Sequence, residues 1–237
     1  MSAPHLETHA DAATAARAAA GFIAECARRA VADRGKFLVA FSGGSTPMEM
    51  LGALVAEDIS WRKLHIFQVD ERAAPHGHRE RNLTQLEESL IGTTPLTLDA
   101  LHAMPVEQAD LDAAARHYAD TIAAAAGPSA VLDLVHLGLG EDGHTASLIP
   151  GDAVVEISDR DVAVTEAYRG HRRMTLTLPM LDRARQRLWL VTGSSKAAML
   201  ARLIASDKRI PAGRVAAKDS VIFADRTAAS ESVCTTP

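Results

Sequence analysis

Lys36–Pro47, KFLVAFSGGSTP, packs three structural signals into twelve residues. Lys36–Phe41 is a short apolar run of the kind that forms a strand buried on both faces. Ser42–Thr46 is a tight polar turn, and Pro47 fits the first position of a helix capped by Thr46. That helix is expected to run to about Ala56 with Met48, Leu51 and Val55 inward. Strand, glycine turn and helix N-terminus in immediate succession make one half of a β-α-β unit.

The same alternation extends in both directions. Upstream, Ala12–Arg34 repeats small apolar residues at three- and four-residue steps (Ala16, Ala20, Ile23, Ala27, Ala30), which predicts a long helix closed by Gly35. Downstream, Leu64–Val69 is a strand candidate, followed by a polar loop from Asp70 to Asn82. Leu111–Ala126 is helical, and Val131–Leu137 is a strand leading into Gly138–Gly143. Val162–Thr165, Met174–Leu178 and Arg187–Val191 are later strand candidates, Ser195–Ala205 a helix, and Val221–Ala224 a last short strand. Strands alternating with helices imply an α/β fold with a mostly parallel sheet and helices on both faces. No linker, repeat or low-complexity segment divides the 237 residues, so residues 1–237 are expected to form one domain.

Composition narrows the function classes. Hydrophobic residues make up 47% and charged residues 23%, with a formal charge of −5 and no lysine/arginine run to suggest nucleic acid. No stretch is long and apolar enough for a transmembrane helix, and His5, Glu7, His9 and Asp11 stand where a signal peptide needs an apolar core. Cys26 and Cys234 lie near opposite ends without ligand spacing, which fits free thiols in a reducing, cytoplasmic compartment. A protein of this charge that handles an anion must gather its cations locally.

Ligands bind open α/β sheets at the carboxyl ends of the strands. Three polar or glycine-rich segments fall there. Ser42, Gly43, Gly44, Ser45 and Thr46 offer backbone N–H groups, hydroxyls and a helix N-terminus, the parts of a phosphate cradle, without the lysine of a Walker loop. In Gly138–Thr145, Asp142 and His144 stand two apart: a histidine can take a proton from water at neutral pH, and a carboxylate can hold its ring. Arg72, in Asp70-Glu71-Arg72, could stabilise an oxyanion or form a surface salt bridge with Asp70 or Glu71. Arg172, Arg173 and Lys196 are the further cations that a phosphorylated substrate needs. His76-Gly77-His78 has metal-compatible spacing but lies in a polar loop beside Arg79 and Arg81. His65 and His136, inside strands, are expected to be hydrogen-bonded structural residues, and Trp61 and Trp189 core residues.

FSGGSTP (Phe41–Pro47), QVDER (Gln68–Arg72) with Asn82 behind it, GLGEDGHTASLIPG (Gly138–Gly151), RRMTLTLPML (Arg172–Leu181) and TGSSKA (Thr192–Ala197), in this order, resemble the 6-phosphogluconolactonase family. The resemblance implies a three-layer, Rossmann-like fold shared with glucosamine-6-phosphate deaminases and ribose-5-phosphate isomerase-like proteins. It implies 6-phospho-D-glucono-1,5-lactone as substrate, in the oxidative pentose phosphate pathway, and no metal or organic cofactor. Carried over by position, His144 becomes the catalytic base with Asp142 beside it, and Arg72 binds or polarises the lactone. Ser42–Thr46, one of Arg172 and Arg173, and Lys196 hold the phosphate, while Asp70 lies at the substrate. A monomer is expected. Amino-sugar phosphate deaminases resemble the chain at the glycine loop, at Asp70-Glu71 and at Asp-Gly-His, but carry a glutamate shortly after the histidine, where Leu148-Ile149 stand here. A non-catalytic sugar-phosphate sensor of this fold usually accompanies a helix-turn-helix domain, for which the segment before Lys36 is too short.

Overall fold

The computed structural model of the protein describes residues 3–232. In chain order the strands are β1 (His5–His9), β2 (Phe37–Phe41), β3 (Leu64–Gln68), β4 (Asp70–Arg72), β5 (Leu101–His102), β6 (Leu134–Leu137), β7 (Val162–Val164), β8 (Arg173–Leu176), β9 (Gln186–Val191) and β10 (Ser220–Asp225). The principal helices are α1 (Ala12–Arg34), α2 (Ser45–Val55), α3 (Asn82–Leu90), α4 (Leu111–Ala126), α5 (Leu178–Arg183) and α6 (Ala197–Ile204). Seven strands form a parallel sheet in the order β1-β10-β9-β6-β2-β3-β5.

Side-chain alternation along β2 produces the three layers. Phe37, Val39 and Phe41 join one hydrophobic cluster with α1, α2 and α3, while Leu38 and Ala40 join the opposite cluster with α4 and α6. Helix α1 is fixed at both ends as its sequence requires. Asp11 accepts from the Thr14 N–H at 2.7 Å, and Gly35 takes the left-handed conformation at φ 77°.

Strand order reverses between β2 and β6: from β2 the sheet grows through β3 to β5, and from β6 through β9 to β10. This is the switch point where loops diverge and leave a crevice. Both the Ser42 N–H and the Ser42 hydroxyl donate to the carbonyl of His136, at 3.3 and 3.0 Å, and so tie β2 to β6 at its edge.

Several expectations need correction. Asp70–Asn82 is not loop throughout, because Asp70–Arg72 pairs antiparallel with Arg173–Thr175. With β7, these strands make a separate three-stranded antiparallel sheet, so the strand candidates at 162–165 and 174–178 lie outside the parallel sheet. Edge strands β1 and β5 carry no apolar run: His5–His9 is half-exposed, and β5 has only two residues. Thr46 does not cap α2, since Gly44 occupies the cap position and no side chain bonds there. Met50, Leu51 and Leu54 are the deeply buried residues of α2, with Met48 and Val55 half-buried. His136 is completely buried, but both ring nitrogens lack a hydrogen-bond partner among the described residues. His65 does pair, its Nδ1 lying 3.1 Å from His102 Nε2, and Trp61 and Trp189 are buried. Cys26 is a buried free thiol, and Cys234 lies outside the described residues.

Candidate active site

Residues from the ends of β2, β6 and β9, from β4 and β8 and from α3 enclose a cavity of about 270 Å³ at the switch point. The glycine turn comes first. Gly43 lies so close to α3 that a Cβ there would sit 1.9 Å from Asn82 Oδ1. Gly44 has φ +123° and donates its N–H to Gln85 Oε1 at 2.9 Å. Any side chain at either position would open the turn. Ser42, Gly43, Gly44 and Thr46 line the cavity, and Thr46 Oγ1 is 3.5 Å from the Thr192 hydroxyl. Ser45 begins α2; its side chain is outside the described set.

Strand β4 sorts its three residues by alternation. Glu71 points away from the cavity and is fully buried. Its carboxylate accepts from the N–H groups of Asn82 and Leu83, both at 2.8 Å, and lies 3.0 Å from Arg81 Nε. An anion at the start of α3 satisfies free N–H groups and the helix dipole together. Asp70 and Arg72 face the cavity. Arg72 donates through Nη1 to Asn82 Oδ1 at 2.9 Å and to the Glu80 carbonyl at 2.6 Å. Its guanidinium is therefore held by neutral acceptors, not by Asp70 or Glu71. Asp70 accepts from the Ser147 hydroxyl at 2.6 Å and from Asn82 Nδ2 at 3.3 Å.

The Asp-Gly-His segment folds back on itself. His144 Nδ1 lies 2.5 Å from Asp142 Oδ1, which also accepts the His144 N–H at 3.1 Å. Only glycine fits at 140, because a Cβ there would be 2.1 Å from His144 Nδ1. Burial works to raise the Asp142 carboxyl, but the His144 N–H, the imidazole and the Tyr168 hydroxyl outweigh it and hold the group below the usual aspartate value. An ionised Asp142 at Nδ1 fixes the proton on that nitrogen, leaving Nε2 with the lone pair.

Arg173 is buried and lines the cavity, whereas Arg172 is exposed, donates to the Thr165 carbonyl at 3.4 Å and is not part of the wall. Burial, followed by the charge of Arg72, pushes the Arg173 guanidinium below its ordinary pKa. Nε of Arg72 and Nε of Arg173 are both buried without a hydrogen-bond partner among the described residues. Two neighbouring cations with unused donors are a receptor for an anion. Lys196 adds a third positive charge to the wall, 3.9 Å from Glu141. His76 and His78 turn to separate partners, Glu87 at 3.7 Å and the ring of His171. Among the described residues no group of three His, Cys, Asp or Glu side chains is placed to hold a metal ion.

The sequence reading gave no role to Gln85, Ser147, Tyr168 or Thr192. Asn82, noted behind Gln68–Arg72 in the family resemblance, lines the cavity and accepts from Arg72. For Tyr168 there was no signal, since only the hairpin between β7 and β8 brings it to Asp142.

A family model described as glucosamine-6-phosphate isomerases/6-phosphogluconolactonase matches residues 10–224. The 6-phosphogluconolactonase of Synechocystis is 34% identical over 76% of this chain and 76% of its own. That of Mycobacterium tuberculosis is 37% identical over 77% of this chain and 79% of its own. The solved 6-phosphogluconolactonase from Trypanosoma cruzi superposes with a TM-score of 0.86 at 26% identity, covering 98% of this chain and 97% of that one. The chain belongs to the glucosamine-6-phosphate isomerase/6-phosphogluconolactonase family.

Proposed function

We propose that the chain is a 6-phosphogluconolactonase, hydrolysing 6-phospho-D-glucono-1,5-lactone to 6-phospho-D-gluconate in the oxidative pentose phosphate pathway. The observation that carries this reading is the His144–Asp142 pair at 2.5 Å, with His144 opening into the cavity that Arg72, Arg173 and Lys196 line. Curated relatives of that activity, 34–37% identical, support it.

His144 Nε2 takes a proton from water as the oxygen attacks the lactone carbonyl, and Asp142 favours the imidazolium that forms. Arg72 stabilises the tetrahedral oxyanion, and the imidazolium returns the proton to the departing ring oxygen. The glycine turn with the N-terminus of α2, Arg173 and Lys196 hold the phosphate, while Asp70 accepts a sugar hydroxyl. Anchoring the phosphate orients the carbonyl with binding energy remote from the reaction. No covalent nucleophile or cofactor enters this scheme. A deaminase at the same site needs a carboxylate after the histidine, whereas Leu148 and Ile149 are buried apolar residues.

We further propose that residues 1–237 act as one domain, as a monomer, in the cytoplasm, without nucleic-acid or membrane partners. The net charge of −5 argues against a nucleic-acid partner, and among the described residues no helix is long and apolar enough to cross a membrane. The test is consumption of the phosphorylated lactone, generated in situ, beside glucosamine 6-phosphate as the rival substrate. Lactone loss above the spontaneous rate with no ammonia release supports the proposal; ammonia release without lactone loss overturns it.

A further inference from the structure

Strands β7 and β8 are joined by a hairpin that reaches the Asp142–His144 pair through Tyr168. Tyr168 and His171 bridge its neck, with the Tyr168 N–H donating to the His171 carbonyl at 2.9 Å. Arg169 and Gly170 between them have φ of 50° and 87°, as a two-residue turn requires. The tip is moored on one side by His171, whose Nε2 lies 3.0 Å from Glu80 Oε2. The carbonyl of the same Glu80 accepts from Arg72.

On the other side the Tyr168 hydroxyl donates to Asp142 Oδ2 at 3.2 Å, leaving Oδ1 to His144. The Tyr168 ring meets the His144 imidazole edge-on, with centroids 6.1 Å apart, and the Arg173 guanidinium lies 5.2 Å from the Tyr168 centroid. Asp142 is 40% exposed and sits on a short glycine-flanked loop. A carboxylate so placed and held at Oδ1 alone can still pivot about that oxygen until the second is engaged. Tyr168 engages the second.

We infer that Tyr168 is a positioning residue for the hydrolysis, acting through Asp142 to hold the His144 imidazole in its productive orientation. The inference rests on the lactonase reading, in which His144 is the base. Tyr168→Phe keeps the ring against Arg173 and His144 and removes only the hydroxyl.

The test is a double-mutant cycle of Tyr168→Phe with Asp142→Ala, read as kcat and KM on the lactone after subtracting spontaneous opening. In the otherwise native protein Tyr168→Phe is expected to lower kcat roughly three- to tenfold with KM within about twofold, the size of one hydrogen bond expressed in the transition state. In the Asp142→Ala background the same change should cost less than about twofold, because its point of action is gone. An unchanged kcat in Tyr168→Phe overturns the inference, as does an equal fractional loss in both backgrounds. If the native protein does not exceed the spontaneous rate, the lactonase reading fails and takes this inference with it. A native rate lost in His144→Ala but untouched in Tyr168→Phe defeats the inference alone.

Discussion

His144 Nδ1 lies 2.5 Å from Asp142 Oδ1, and that oxygen also accepts the backbone N–H of His144 at 3.1 Å. One carboxylate oxygen thus fixes both the ring and the backbone of the residue two positions later. Such a contact needs a turn with no side chain in the way, which Gly140 provides.

Replacing Asp142 with Asn should therefore reduce kcat without unfolding the protein. An amide cannot stabilise the imidazolium, and its N–H can face Nδ1 and favour the wrong tautomer. Because Asp142 is partly exposed, we expect a loss on the order of 10- to 100-fold at neutral pH, below the largest effects of buried carboxylates. Steady-state kinetics with circular dichroism as the folding control measures it. Retention of full kcat would remove Asp142 from the mechanism.

The two adjacent arginines should separate cleanly. Arg173→Ala is expected to raise KM for the phosphorylated lactone about 10- to 100-fold, the range of a charge-assisted hydrogen bond to an anion. Arg172→Ala should stay within about twofold of the native protein, as suits an exposed surface residue. Since burial and the charge of Arg72 disfavour the Arg173 cation, its removal should leave thermal stability unchanged or higher. Equal effects of the two substitutions on KM would contradict this assignment.

His136 should control part of the acid sensitivity. Burial alone pushes its ring from an ordinary 6.5 down to about 3. Below pH 6.5 the unfolded chain binds a proton there that the native protein refuses, so stability is full above that pH and falls as pH drops towards 3. The slope from one such group approaches ~1.4 kcal/mol per pH unit. Urea unfolding of native protein and His136→Phe at pH 7, 6 and 5 reads it: the native curve should fall more steeply. Parallel curves would show that this ring does not titrate on unfolding.

The central sheet was legible because its strands are buried on both faces. Phe37–Phe41 is an unbroken apolar run, and Leu64–Gln68 keeps Leu64, Ile66 and Phe67 buried despite His65 and Gln68, so both stand out against the helices between them. Strand β4 escaped because Asp70-Glu71-Arg72 has the composition of a loop. Its strand geometry comes from pairing with Arg173–Thr175, a hundred residues along the chain, and from polar side chains that find buried partners. The same non-local pairing separates Arg173 from Arg172: Arg173 opens β8 and is buried at the cavity wall, whereas Arg172 precedes the strand and is exposed. The glycine turn and Asp-Gly-His were visible for a related reason: each is a local motif whose chemistry and backbone geometry come from neighbouring residues. Tyr168 was not, because a hairpin and not a motif carries it to Asp142. His136 was misjudged as hydrogen-bonded because sequence pattern cannot reveal that a strand histidine points among apolar side chains.

The role of His144 is tested most directly by kcat/KM for hydrolysis of 6-phospho-D-glucono-1,5-lactone by the native protein and by His144→Ala, both corrected for spontaneous opening. A native rate clearly above background is expected, with a folded variant reduced on the order of 10²-fold or more, as when a general base is removed. A variant that hydrolyses the lactone as fast as the native protein would contradict that role.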